Sequence, residues 1–526
     1  MARVYGKFSD LITFTRASGG TALRPIGYGS ELVTNGTFDS GLSGWTDSSE
    51  GTGSIEWNAS GYLDLTTGVD TTNEGRAYQI VSTEVGKVYR LMVTRSGGNS
   101  RVDLSGTSPT AAEIWFSSVS SSNEDKLFVA TSTTTYINFR NLTNFNSTSS
   151  IDFVTVREVL FDQPNAPLTL FNHPVNVPRI EYDADGNRLG LLVEESRINH
   201  ATYSNSFFDS SWGASSLTSG DSVLSPESTA NAVKVIASAS DALHFFSKNA
   251  TGISTATYSF SIYAKKGELT KFALREGSAT GSYAAFDLES GTVLDGSGII
   301  SEAGNGFYRC TLTVLIPATT FGMRIYILPN SYTSGSVTNT WIGDASGGLY
   351  LYGAQLEAGS FPTSYIPTSG STATRAADVA SIPVSEFGYN QSEGSAVWEG
   401  KFLSTVAKTE YLYNFNDATT GTDVINSIRS FKFTDGNLLH RVTTDNVSQV
   451  GSDSGSVSAE LFKSGFALKE NSQIASTNGV NTAEDTSVLV PNITTLHIAP
   501  NFSGHIKSIK YYPRRLTNAQ LQELTS

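Results

Sequence analysis

The sequence predicts an all-β protein: several β-sandwiches in tandem, closed by one short C-terminal helix. Three observations carry that expectation. Charged residues make up only 16% of the 526 residues, while glycine alone numbers 48; ordinary soluble domains hold about 25% charge, and this balance suits strands and turns. Three stretches alternate between two faces: Tyr89, Leu91 and Val93 with Val88, Arg90 and Met92; Tyr258, Phe260, Ile262 and Ala264 with Ser259, Ser261 and Tyr263; Ala396, Trp398, Gly400 and Phe402 with Val397, Glu399 and Lys401. A period of two is the period of a strand. Finally, Thr517 and Gln520 form a capping box, with Leu516 and Leu521 as its hydrophobic staple, so the chain ends in a capped helix. A chain of this length has room for about three or four domains, and its 39% hydrophobic and 11% aromatic content is enough for each to bury a core.

Composition also excludes partners. The formal net charge is -14 and no Lys/Arg run exceeds two residues, so a phosphate backbone is repelled and nucleic acid is not an expected partner. No apolar run approaches the ~18 residues of a membrane span, so no membrane insertion is expected; Met1 to Gly20 lacks a secretory apolar core, and the expectation is synthesis in a cytosol. Cys310 is the single cysteine and reads as a small core residue. The six histidines show no paired metal spacing, and no nucleophile elbow, phosphate loop or dinucleotide loop is present. No cofactor and no catalytic residue is expected, beyond the alternative of a polysaccharide-cleaving site assembled from scattered carboxylates.

The stretch from Asn172 to Trp212 organises the rest. Pro174 and Pro178 favour extended backbone before them, and Asp185-Gly186 supplies a tight hairpin turn. Glu181, Asp183 and Asp185 alternate, a pattern that could pair carboxylates for glycoside hydrolysis. Asp183, Asp185, Asn187 and Glu194 also match part of a calcium loop, but Arg188 stands where the bend needs glycine. A plain hairpin is the better reading. In order, Asn176-Val177-Pro178-Arg179, the Asp185-Gly186-Asn187 turn, Leu191-Leu192-Val193-Glu194-Glu195-Ser196-Arg197-Ile198-Asn199 and Thr202-Tyr203-Ser204 with Phe207 and Trp212 resemble a linker signature of tailed-phage fibre, spike and appendage proteins. Phe14-Thr15-Arg16-Ala17-Ser18 resembles the opening string of the same family, which implies that a whole domain is inserted between the two halves.

The domains follow. Residues 1–30 are expected to be an N-terminal docking strand segment. Residues 31–161 open with Asn35-Gly36-Thr37-Phe38-Asp39 and Gly44-Trp45 and close with Ile151-Asp152-Phe153-Val154-Thr155-Val156, which resembles a carbohydrate-binding jelly roll. A sugar site needs flat exposed aromatics beside amides and carboxylates; Trp57, Tyr62, Trp115 and Tyr136 are the candidates, and Trp45 is expected to plug the core. The resemblance implies a structural calcium near the terminal strands, with Asp152 as the matching carboxylate. Residues 162–200 read as a connector.

Residues 201–368 read as a second jelly roll. Its Gly306-Phe307-Tyr308-Arg309, Ala354-Gln355-Leu356-Glu357 and Pro362-Thr363-Ser364-Tyr365-Ile366-Pro367-Thr368 phrases resemble phage modules in the family's order. After a linker at 369–380, residues 381–526 resemble a concanavalin A-like or laminin-G-like sandwich. Ile506 and Ile509, three apart, imply a bulge in its last strand. Thr372-Ala373-Thr374-Arg375-Ala376 repeats Thr13-Phe14-Thr15-Arg16-Ala17, so Arg16 and Arg375 are expected to pack equivalently around the joint, as structural donors to carbonyls or to carboxylates such as Glu194 and Glu195.

Together these resemblances imply a virion protein made in the host cytoplasm. It would be an exposed fibre, spike or decoration subunit on capsid or tail, a homo-oligomer that meets other virion proteins and host cell-surface polysaccharide. A phage depolymerase or a bacterial carbohydrate-binding adhesin are the alternatives.

Overall fold

The computed structural model describes residues 11–526 apart from short stretches at 71–72, 121, 143–145, 229–230, 278–280, 317–318, 404–407 and 459. The first third of the expected docking segment, residues 1–10, therefore lies outside the described residues. The chain is all β, with one α-helix among the described residues, Asn518–Thr525. It divides into two compact units, one of residues 25–167 and one formed by residues 1–24 with 168–526.

The 25–167 unit is a sandwich of two antiparallel sheets. One runs in the order Thr46–Asp47, Arg76–Ser82, Thr134–Arg140, Arg101–Ser105, Trp115–Phe116; the other centres on Val88–Gly97 and Thr148–Phe161, flanked by Glu124–Val129 and by the hairpin Ser54–Asn58 with Tyr62–Thr66. Inward residues alternate along each strand, among them Leu91, Val93, Val102, Leu104, Ile137, Phe139, Val154 and Val156. Trp45 is buried against Phe38 and Phe139, with its indole N–H donating to Asn35 O at 3.3 Å.

The other unit holds two further sandwiches. The jelly roll after the joint pairs a six-stranded sheet centred on Thr320–Leu328 with a larger sheet centred on Gly348–Ala358 and Ala256–Lys265. Its core includes Phe246, Phe260, Phe272, Phe286, Phe321 and Leu356. Cys310 is fully buried there, and burial pushes its thiol well above the ordinary range.

The C-terminal sandwich corrects the expected boundaries. The hairpin Arg179–Tyr182 with Arg188–Val193, expected as part of a separate connector, supplies the first two strands of one of its sheets, continuing into Gly504–Tyr512, Glu393–Phe402, Phe462–Lys469 and Ser472–Thr477. Thr13–Thr15, expected to dock elsewhere, pairs with Val379–Pro383 at the edge of the facing sheet, Phe14 opposite Ala380. The physical reason is shared: Phe14, Leu191 and Val193 complete the apolar core, and both segments cover backbone edges that a sandwich of residues 381–526 alone would leave open. The 369–380 stretch is no free linker either, because Ala373–Arg375 pairs with Arg197–Asn199. The bulge in the last strand falls opposite Glu399 and Gly400, where the register jumps from Ser508 to Ile506. Thr517 Oγ1 accepts from Gln520 N at 3.2 Å, the Gln520 side chain accepts from Thr517 N at 3.1 Å, and Leu516 and Leu521 are buried together.

At the joint lies a buried ionic cluster. Arg16, Arg179 and Arg375 are each about 1% exposed or less, with Glu194 at 2%. Arg179 donates to Glu194 Oε2 at 2.7 Å, to Asp378 and to Thr21 O at 3.2 Å. Arg375 donates to Glu195 O at 2.6 Å and lies 3.6 Å from Glu194 Oε2. Arg16 pairs with Asp378 at 3.2 Å, in place of the expected Glu194 or Glu195, and donates to the carbonyls of Ser18, His173, Pro174 and Val177. Burial and the neighbouring Arg179 lower the Arg16 pKa to about 10. Burial opposes the Glu194 charge, but Arg375 and Arg179 outweigh it and hold the carboxyl well below its usual range.

Candidate functional site

The outward face of the five-stranded sheet in the 25–167 unit is built by strand alternation. Along Arg76–Ser82 the inward residues are Ala77, Gln79 and Val81, which leaves Arg76, Tyr78 and Ile80 outside; along Thr134–Arg140 the same rule puts Tyr136, Asn138 and Arg140 outside. Register then aligns a row of five residues across all five strands: Thr46, Tyr78, Asn138, Asp103 and Phe116. A parallel row holds Ile80, Tyr136 and Ser105, and a third Arg76, Arg140 and Arg101.

The chemistry of this face is mixed. The Tyr78 and Tyr136 rings lie 5.9 Å apart and tilted by 47°. Phe116 is 55% exposed, with the Arg101 guanidinium 4.3 Å from its ring centre. Ion pairs frame one side: Arg76 to Glu74 at 2.6 Å, Arg140 to Glu74 at 3.0 Å and Arg101 to Asp103 at 2.5 Å. Burial opposes the Arg140 charge, yet Glu74 and Asp103 more than offset it, so its pKa is raised. At the centre Asn138 is 2% exposed, and both its amide nitrogen and oxygen lack a hydrogen-bond partner. A buried amide left unsatisfied costs about 1–3 kcal/mol per group; with its neighbour Asp103 only 1% exposed, the middle of the row is closed and the face presents its rings and arginines.

The four aromatics expected to bind sugar do not converge. Tyr136 lies on this face. Trp115, opposite Leu104 in register, leans on the edge of the core with the Lys126 Nζ 5.4 Å from its ring. Trp57 and Tyr62 sit on the hairpin of the other sheet; Trp57 is 42% exposed and its indole N–H donates to Phe38 O at 2.7 Å. Tyr78, Phe116 and Asn138 escaped sequence reasoning. Matching the two faces of 76–82 and 134–140 would have found Tyr78 and Asn138, but Phe116 joins them only through the pairing of a two-residue strand. Asp152 sits at the irregular register between Ile151 and Phe153, and among the described residues no group of three His, Cys, Asp or Glu side chains gathers to hold a metal.

Elsewhere, Asp185 and Gly186 form the expected turn: Gly186 takes φ 81°, its N–H donates to Asp183 O at 3.1 Å, and Asp183 N donates to Asn187 O at 2.9 Å. No helix among the described residues is long and apolar enough to cross a membrane.

No known protein family matches the sequence, and no curated protein matches it. Solved structures give partial similarities. The CBM40 module of a Ruminococcus gnavus IT-sialidase bound to α2,3 sialyllactose is 13% identical over 26% of this chain and 84% of its own, with a TM-score of 0.23. The CBM22-1–CBM22-2 tandem of Paenibacillus barcinonensis is 12% identical over 63% and 98%, at 0.20. Mouse laminin α1 domains LG4-5 are 11% identical over 50% and 84%, also at 0.20.

Proposed function

We propose that this chain is an exposed fibre, spike or decoration subunit of a tailed-phage-like particle that attaches to host-surface polysaccharide without cleaving it. The observation that carries the glycan half is the aromatic outer face of Tyr78, Tyr136 and Phe116, framed by Arg76, Arg101 and Arg140. Aromatic faces take the C–H face of a pyranose ring, while the guanidiniums beside them meet its hydroxyls. Each contact is weak, and copies of the subunit in a symmetric homo-oligomer raise avidity through effective concentration. The particle half rests on the ordered sequence phrases from Phe14 to Thr368, which imply other virion proteins as neighbours and the virion as the chain's location. Attachment needs no cofactor and no catalytic residue.

A glycan array probed with the full chain tests the reading. Binding to bacterial surface polysaccharides is expected, and a Tyr78→Ala/Tyr136→Ala variant should lose it. Release of reducing ends from a bound polysaccharide would refute attachment alone and favour a depolymerase.

A further inference from the structure

In the larger unit a cavity of about 410 Å³ opens where the joint hairpin meets the second jelly roll and the C-terminal sandwich. Glu181, Asp183, Glu194 and Glu302 line it with one sign of charge, Glu194 already paired with Arg179, and Arg309 and Lys401 line it with the other. Glu181 is fixed in place: its Oε2 lies 2.5 Å from Nε2 of the buried His505. Arg309 lies over the Tyr263 ring at 5.3 Å and donates to Ser261 Oγ at 3.1 Å, while its buried Nε has no partner. Among the described residues neither Arg309, Lys401 nor Glu302 makes an ion pair within 4.0 Å. The remaining wall is largely apolar, with Leu189, Leu192 and Leu403 among its residues.

A ligand that suits this wall must accept from cations, donate to carboxylates and present an apolar side. A purely anionic group meets four carboxylates, and a cation meets the arginine and the lysine. A hydroxyl both donates and accepts, so a vicinal diol can bridge a carboxylate and a cation at once, and the C–H face of a pyranose ring covers the leucines. The size is within the range of small-molecule sites, about 300–1,000 Å³. We propose that this cavity is a second saccharide site, taking one or two neutral pyranose rings. It belongs to a different unit from the sheet face described above, and it stands independently of that reading.

Saturation-transfer difference NMR on the full chain tests it, with maltose, lactose and cellobiose each used alone as probe. At least one should show transfer. Ala184→Trp, at an exposed turn position that lines the mouth, should abolish the signal. Lys401→Ala should weaken the Kd by about tenfold, as expected for one lost charged hydrogen bond. Val447→Ala, at an exposed strand position that lines neither site, should leave both unchanged. Absence of transfer from all three sugars overturns the proposal, as does a signal that survives Ala184→Trp. A signal lost in Tyr136→Ala but kept in Ala184→Trp overturns it too, and assigns the binding to the sheet face.

Discussion

Replacing Arg179 with methionine removes the centre of the ionic cluster at the joint. The guanidinium bonds Glu194 and Asp378, whose side chains are 2% and 0% exposed. After the substitution neither carboxylate regains water. Glu194 keeps Arg375 at 3.6 Å and Asp378 keeps Arg16 at 3.2 Å, so each stays partly compensated. Breaking a buried pair from one side costs about 3–5 kcal/mol; with two carboxylates involved and both partly rescued, we expect about 4 kcal/mol. Urea unfolding followed by tryptophan fluorescence measures it, because Trp212 and Trp398 report on the two sandwiches that the cluster joins. Lys266→Ala is the control: its pair with Glu289 is exposed at 48% and 61%, and a loss below about 1 kcal/mol is expected. If Arg179→Met costs no more than Lys266→Ala, the cluster does not hold the joint and the reasoning fails.

Further outcomes follow from single sites. Burial raises the Glu227 carboxyl to about 7 from 4.5, with only the Tyr352 hydroxyl, 3.1 Å away, opposing the shift. Its contribution to stability is therefore present below pH 4.5 and lost as pH rises through 7. Glu227→Gln should match the native chain at pH 4 and be more stable by about 3 kcal/mol at pH 8, measured by denaturant titration at both. His440 works in the opposite direction: burial lowers it to about 3, so stability is present above pH 6.5 and falls as the pH drops toward 3, and His440→Gln should flatten the acid limb of a Tm-against-pH curve. Thr517→Ala removes the hydroxyl that accepts from Gln520 N, leaving the backbone half of the capping box, and should cost about 1 kcal/mol by thermal melting. Cys310 should resist a water-soluble thiol reagent in the native chain and react fully in denaturant.

Much of the fold was legible in the sequence because strand alternation and cap chemistry are local. The alternations at 88–93, 258–264 and 396–402 fall in observed strands, the bulge near Ile506 lies where the broken period implied, and the capping box is in place. Arg16 and Arg375 already stood out through the repeated Thr-Xaa-Thr-Arg-Ala string. The partners of Arg375 were among those expected, Glu195 O and Glu194, but the Arg16 carboxylate was not, because Asp378 meets Arg16 across 362 residues and no local pattern encodes such a contact.

The same physics divides what each level determined. Sequence alone determined the strand class, the turn at Asp185-Gly186 and the capped helix Asn518–Thr525, since each depends on neighbours a few residues away. Tertiary structure alone decided that Thr13–Thr15 and the hairpin at 179–193 are strands of the C-terminal sandwich, and that Tyr78, Asn138 and Phe116 share a row. Which backbone edge a strand covers, and which side chains align across a sheet, is set by register between segments far apart in the chain. A one-residue shift in that register would turn the whole row inward.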